Sequence, residues 1–167
     1  DNEKIRSLRN NLKTKMIRLT SQQDLAALKE VIDSTGLFPS ELLDDMTSDF
    51  LSNPASTDTW LTKEAGGVPI AVAYYAPERL TEGTYNLYLI AVRKEGQGKG
   101  LGAEIMKHVE KKLQQEGHRV LIVETSSLPE FEATRNFYKK LEYIQEATIH
   151  DFYKEGEHKI IFWKKLL

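Results

Sequence analysis

Polar and apolar positions along this chain change period several times, and each change marks an expected element. Met16 to Leu19 is a short strand-like run. Ser21 then stands as an N-cap with Asp24 three residues on, and Leu25, Leu28 and Ile32 recur on one face of the helix that follows. Gly36 stops that helix. Pro39-Ser40 opens a second one, which turns Leu42, Leu43, Met46 and Phe50 inward and ends at Asn53-Pro54. From there the period falls to two. Thr59 to Glu64 and Val68 to Tyr75 read as strands joined by a Gly66-Gly67 hairpin turn. A loop from Pro77 to Gly83 leads to a strand from Tyr85 to Val92. After a turn over Arg93 to Gln97, a long helix is expected from Gly98 to Glu116, with Leu101, Ile105, Val109 and Leu113 as its buried stripe and Gly117 at its C-terminal end. Val120 to Glu124 is a short apolar strand suited to a sheet interior. A helix over Glu132 to Lys140 and strands over Tyr143 to Ile149 and Lys159 to Trp163 complete the chain. The order β-αα-βββ-α-β-α-ββ predicts an α/β (α+β) fold, a mixed sheet with helices on both faces. Residues 1–14 are expected to be a polar lead-in, although Ile5, Leu8 and Leu12 would share a helix face, and residues 15–167 one domain.

Composition narrows the function classes. The chain has 167 residues, 40% hydrophobic and 29% charged, an ordinary globular balance long enough to bury a core. It opens on Asp1 rather than Met, which suggests a truncated or processed start. No apolar run approaches the ~20 residues of a membrane span, and nothing resembles a secretion signal. With no cysteine, thiol catalysis, disulfides and thiolate metal sites are excluded, and a cytoplasmic location is expected. The histidines (His108, His118, His150, His158) lack metal-ligand spacing, so no metal is expected. A net charge of −2 gives no general attraction to nucleic acid. The charge is uneven, however: between Gly36 and Thr62 there are five acids (Glu41, Asp44, Asp45, Asp49, Asp58) and no Lys or Arg. That stretch is either a solvated helix face or an acidic border that attracts a cationic amine.

The densest chemical signal is Gln97-Gly98-Lys99-Gly100-Leu101-Gly102, between a strand and a helix. Glycines allow a sharp turn and let backbone N–H groups approach an anion, and the helix start adds unpaired N–H groups and a positive dipole end. The pattern asks for phosphate. A magnesium-nucleotide loop needs Ser or Thr after Gly98-Lys99, where Gly100 stands. A dinucleotide fingerprint fits Gly98-x-Gly100-x-x-Ala103 with Glu124 as the ribose acid, but five residues separate Val92 from Gly98 and only 43 follow Glu124. Both readings fail.

The segment from Ile90-Ala91-Val92 to Gly102 resembles the acetyl-CoA-binding motif of the GNAT superfamily of N-acetyltransferases, Gln/Arg-x-x-Gly-x-Gly/Ala after a strand, with Gln97, Gly100 and Gly102 at its fixed positions. Downstream, Thr134-Arg135-Asn136-Phe137-Tyr138 followed by Leu141-Glu142-Tyr143 resembles the family's second landmark, with Glu142 where a glycine is usual. The resemblance spans about Met16 to Leu167. It implies a largely antiparallel sheet of about seven strands and an enzyme that moves an acetyl group from acetyl-CoA to a primary amine. It assigns the backbone of Ile90, Ala91 and Val92 to pantetheine, and the N–H groups of Gln97, Gly98, Lys99, Gly100, Leu101, Gly102 and Ala103 to the pyrophosphate. Asn136 joins the cofactor-binding set, and homodimers are a common state.

Two proton transfers go with that chemistry. The leaving thiolate, near pKa ~8.5, gains from an acid, and Tyr138 resembles the family tyrosine in that role, with Phe137 expected in the core. The attacking amine must lose a proton. Some family members carry a Glu for this where Asn86 stands here; Glu124, on the adjacent strand after an apolar run, is the substitute, and a water chain to Glu124 or Tyr88 is the other route. The acceptor is left open among small amines, antibiotics, lysines and protein N-termini, with the acidic stretch favouring a small cation. The missing Glu also motivates an alternative, a CoA-binding regulatory module without turnover.

Overall fold

The computed structural model describes residues 16–167, so the polar lead-in with Ile5, Leu8 and Leu12 lies outside the described residues. Seven strands form one sheet: β1 (Met16–Leu19), β2 (Thr59–Ala65), β3 (Val68–Pro77), β4 (Thr84–Val92), β5 (Val120–Ser126), β6 (Ile144–Lys154) and β7 (Glu157–Lys165). Their spatial order is β1-β2-β3-β4-β5-β7-β6. Among the described residues, four α-helices accompany them: α1 (Leu25–Thr35), α2 (Leu43–Ser52), α3 (Leu101–Gln115) and α4 (Glu132–Lys140). The element order matches the periodicity. β1 with β2, β5 with β7 and β6 with β7 pair antiparallel, whereas β4 and β5 pair in parallel, the arrangement that requires a crossover such as α3. The parallel ladder runs from Thr84↔Val120 to Leu87↔Val123 and ends there, although both strands continue.

The described residues divide into two compact units, 16–74 with 89–106, and 75–88 with 107–167. In the first, Leu28, Val31 and Ile32 of α1 and Leu43 of α2 close over Trp60, Val72, Leu89 and Ala91. Trp60 stacks on Tyr74 with ring centroids 4.5 Å apart. The entry to α1 is fixed by charge as well as by burial. Asp24 accepts the Ser21 N–H at 2.7 Å and the forked Arg18 guanidinium at 2.7 and 2.8 Å. Arg18 also reaches Glu64 on β2 at 2.9 Å. Gly36 closes α1 in the left-handed conformation at φ 65°, its N–H on Ile32 O. Leu42, expected inward, is 46% exposed. Ser40–Leu42 is a tight 3₁₀ turn, and its three-residue period puts Leu42 out of phase with Leu43, where the α-helix starts.

In the second unit, Leu113 of α3 and Leu121, Val123 and Phe162 of the sheet are buried with Tyr138 of α4. Here the expectation for the Phe-Tyr pair is reversed: Tyr138 is the core residue and Phe137 is half-buried. The α4 helix presents Tyr138 to Tyr143 and Phe162, with centroids at 5.8 and 5.7 Å. Glu142, standing where the family usually has glycine, takes φ 68°, the left-handed turn that glycine adopts freely. β6 and β7 run longer than expected, β6 to Lys154 and β7 from Glu157 to Lys165. β6 ends the strand order and is exposed along nearly all its length, so no buried stripe announces where it stops. His150 and His158, on the two arms of this hairpin, meet with ring centroids 4.9 Å apart.

Candidate functional site

The first unit holds the glycine turn. Arg93–Gly96 leaves β4 and is pinned at its start: the Arg93 N–H donates to Ile70 O at 2.8 Å, and the Lys94 N–H donates to Ser34 Oγ of α1 at 3.1 Å. Lys94–Gly96 forms a 3₁₀ turn that takes the Gln97 N–H onto Lys94 O at 3.2 Å. The Gln97 side chain folds back, its Nε2 donating to Val92 O at 3.0 Å. Gly98 and Gly100 then take φ 75° and 80°. Those angles are not helical, which is why α3 begins at Leu101, where its apolar stripe starts, and not at the expected Gly98. From Gly98 to Ala103 no backbone N–H has a partner among the described residues; the first that does is Glu104, donating to Gly100 O at 3.1 Å. A Cβ placed on Gly98 or Gly100 would meet nothing within 4 Å, so the turn is open to an incoming group. The first turn of α3 is anchored from below by Lys63 of β2, which is 2% exposed and meets Glu104 at 2.6 Å.

The second unit holds a polar cluster. Asn86 of β4 is fully buried, and its Nδ2 donates to Glu78 at 2.8 Å and to Glu124 at 3.0 Å. The Tyr88 hydroxyl donates to the same Glu78 oxygen at 3.0 Å. Burial, with the Glu78 carboxylate beside it, pushes the Tyr88 phenol up to about 12. Glu124 Oε2 meets Lys159 Nζ at 2.9 Å. Strand alternation puts Glu124 and Lys159 on one face of the sheet, because Glu124 pairs with Ile161, two residues from Lys159. Val123 and Phe162, and with them Tyr138, lie on the other face. The two expected catalytic residues are therefore on opposite faces and make no direct contact. The Tyr138 hydroxyl makes no hydrogen bond among the described residues, and burial raises its phenol well above the ordinary value.

The family model for the acetyltransferase (GNAT) family matches residues 25–143. The chain belongs to the GNAT family. It is thereby an acyl-CoA-dependent N-acetyltransferase. Among solved structures it is similar to a GNAT-family protein from Desulfovibrio desulfuricans, with 30% identity, a TM-score of 0.86, and 92% of this chain and 100% of that one covered. It also shares its fold with the ribosomal-protein-S18-alanine N-acetyltransferase of Escherichia coli (20% identity, TM-score 0.73, 92% and 94% covered). An aminoglycoside 6'-N-acetyltransferase complexed with coenzyme A is a third (14% identity, TM-score 0.72, 91% and 97% covered). Among curated proteins, none matches the sequence.

The residues fit the coenzyme that this GNAT fold binds. The amides from Gly98 to Ala103 stand open at the start of α3 among the described residues, as an anion site requires, whereas Gln97 has its N–H bonded to Lys94 O and its side chain braced on Val92 O. Asn136 is exposed on α4, and Lys99 is exposed in the turn. Gly96 was not singled out by the motif, yet a Cβ there would come within 3.1 Å of Leu101, so its smallness lets the turn pack on the helix. Glu78, Lys159 and Lys63 had no sequence signal; each finds its partner on a different element of the chain. The acidic stretch is largely engaged within the first unit. Asp44 pairs with Lys29 at 2.6 Å, Asp58 accepts the Tyr74 hydroxyl at 3.1 Å, and Asp49 accepts from Asn53 at 3.0 Å. A cavity of about 320 Å³ beside it, lined by Gln22, Leu25, Asp44, Ser48, Leu51 and Ser52, contains none of the expected site residues. No described helix is long and apolar enough to cross a membrane.

Proposed function

We propose that this enzyme transfers an acetyl group from acetyl-CoA to a primary amine, with a small cationic molecule as acceptor. One observation supports the donor most strongly: the unpartnered amides from Gly98 to Ala103 at the N-terminus of a helix, over a turn with open space above both left-handed glycines. They suit a pyrophosphate, and the backbone of Ile90, Ala91 and Val92, past the end of the β4–β5 ladder, suits a pantetheine arm that pairs like a strand. Acetyl-CoA supplies a thioester whose carbonyl carbon the amine nitrogen attacks.

The chain's own groups handle the protons and the charge. A β4 N–H near Ala91 or Val92 steadies the oxygen that becomes negative. Glu124 takes the proton that the amine loses. Asn86, where some relatives carry a Glu, supports this by holding Glu124 in place through its amide. Tyr88 is unsuited to the same task, because a phenol raised to about 12 stays protonated at neutral pH. As the carbon–sulfur bond breaks, Tyr138 gives its proton to the sulfur; burial keeps the phenol protonated beforehand and works against the transfer itself, because it disfavours the phenolate left behind.

The acceptor reading has a narrower base. The aminoglycoside and ribosomal-protein enzymes that share the fold act, by their names, on a small molecule and on a protein. Carboxylates of Glu78 and Glu124 at one place favour a cation here. The test is thiol release on mixing the protein with acetyl-CoA and a panel of amines. Release with small diamines and none with acidic amines is expected; no release with any amine would overturn the reading. Calorimetry with CoA tests the cradle separately. Gly100→Leu should weaken binding at least tenfold, and intact affinity would place the pyrophosphate elsewhere.

A further inference from the structure

Asn86, at 0% exposure, directs its Nδ2 to two carboxylates and leaves its Oδ1 without a donor among the described residues. Glu78 and Glu124 are thus drawn to one amide, within reach of a single ammonium, and like charges at that separation need a cation. The cation present is the chain's own. Lys159 Nζ lies 2.9 Å from Glu124 Oε2 and 3.5 Å from the centroid of the Phe152 ring. Carboxylate on one side and aromatic face on the other is the chemistry by which proteins recognise an ammonium group. Phe152 stands where the β6–β7 ladder loses register between Ile149 and Lys154, beside Asp151 at φ 52°. The ring is therefore carried by a stretch of β6 whose pairing with β7 is irregular.

We propose that Glu78, Asn86 and Glu124 form an ammonium subsite, that Lys159 occupies it in the free enzyme, and that a cationic acceptor binds by displacing Lys159. The proposal rests on the amine-acetyltransferase reading for its biological sense. Lys159 then acts as an internal competitor: a neutral molecule has nothing to exchange with it, whereas an ammonium replaces both its ion pair and its ring contact. The unpartnered Asn86 Oδ1 gives the incoming N–H groups a further acceptor once side chains shift.

The experiment uses the intact protein and 1,4-diaminobutane as probe, with 1-butanol as the neutral control. The Lys159 ε-methylene protons, shifted by the Phe152 ring current and identified by their loss in Lys159→Met, are followed by NMR. The expected result is a saturable return to the ordinary lysine position with the diamine and no change with the alcohol. Calorimetry should show Lys159→Met binding the diamine about tenfold more tightly than wild type, since the competitor is gone. An unmoved resonance overturns the proposal, and so does unchanged or weaker binding by Lys159→Met. Displacement with tighter binding but no thiol release would sink acetyl transfer to this diamine and leave the cation subsite standing.

Discussion

Tyr138 and Glu142 show what a single side chain can carry in this enzyme. Tyr138 sits among Phe137, Tyr143 and Phe162, so a phenylalanine fits the same space and removes only the hydroxyl. Tyr138→Phe should lower turnover ~10²-fold while CoA affinity, read by calorimetry, stays within about twofold. Unchanged turnover would reduce Tyr138 to packing. Glu142 bears a different burden, a left-handed backbone at φ 68° on an exposed turn. Glu142→Gly should raise unfolding stability by about 1 kcal/mol, the usual strain of a side chain there less the extra freedom of unfolded glycine. Chemical denaturation measures it, and a loss of stability would mean Glu142 makes an interaction that outweighs the strain. The sequence already marked both positions, Tyr138 by its motif and Glu142 by its departure from it. It did not show that Tyr138, rather than Phe137, faces inward, because adjacent aromatic residues on a short helix carry no phase of their own.

At the scale of elements, the starts of α1 and α3 are set by different forces. Asp24 closes α1 against β1, and the Arg18 guanidinium beside it, more than any other group, holds its carboxyl down at about 2. A carboxylate lowered on folding adds stability that is complete above its unfolded value and is lost as pH falls through the folded one. For Asp24 the loss belongs between about pH 5 and pH 2 and amounts to roughly 2 kcal/mol. Asp24→Asn should therefore be less stable at neutral pH and show a shallower decline over that window by denaturant titration; an unchanged slope would remove Asp24 as a source of the acid sensitivity. α3 is anchored instead by Lys63, whose ammonium is 2% exposed and faces Glu104 at 2.6 Å. Removing one partner of a buried ion pair leaves an uncompensated charge, whereas removing both often costs little. Glu104→Gln should cost about 2 kcal/mol, discounted because Glu104 itself is half exposed, and adding Lys63→Met should recover most of it. Additive losses in urea would argue against a coupled pair.

For the molecule as a whole, each compact unit carries its own set of the groups proposed for the reaction. The first carries the amide cradle and the brace of Gln97 on Val92; the second carries Glu124 with its Asn86 support, and Tyr138 on the opposite face of the sheet. β4 belongs to both, since its Thr84–Tyr88 part lies in the second unit and Leu89–Val92 in the first. The parallel ladder with β5 stops at Leu87, so the residues assigned to the coenzyme come after the strand has left that partner. The same strand thus holds Asn86 in a carboxylate network and leaves the backbone of Ile90, Ala91 and Val92 beyond that ladder, where we propose the pantetheine pairs.

Element order, the glycine turn and the family itself were legible in the sequence, because periodicity, turn residues and short motifs are local and survive without knowledge of neighbours. Helix α4 appeared at its observed bounds, Glu132–Lys140, and the stripe Leu101, Ile105, Val109 and Leu113 is buried as its spacing requires. What folding alone decided is everything that depends on register. Asn86 and Glu124 are 38 positions apart, and Lys63 and Glu104 are 41 apart. Whether Asn86, Glu124 and Lys63 turn to the face where their partners stand is set by strand pairing, and a shift of one residue would turn each of them to the other side.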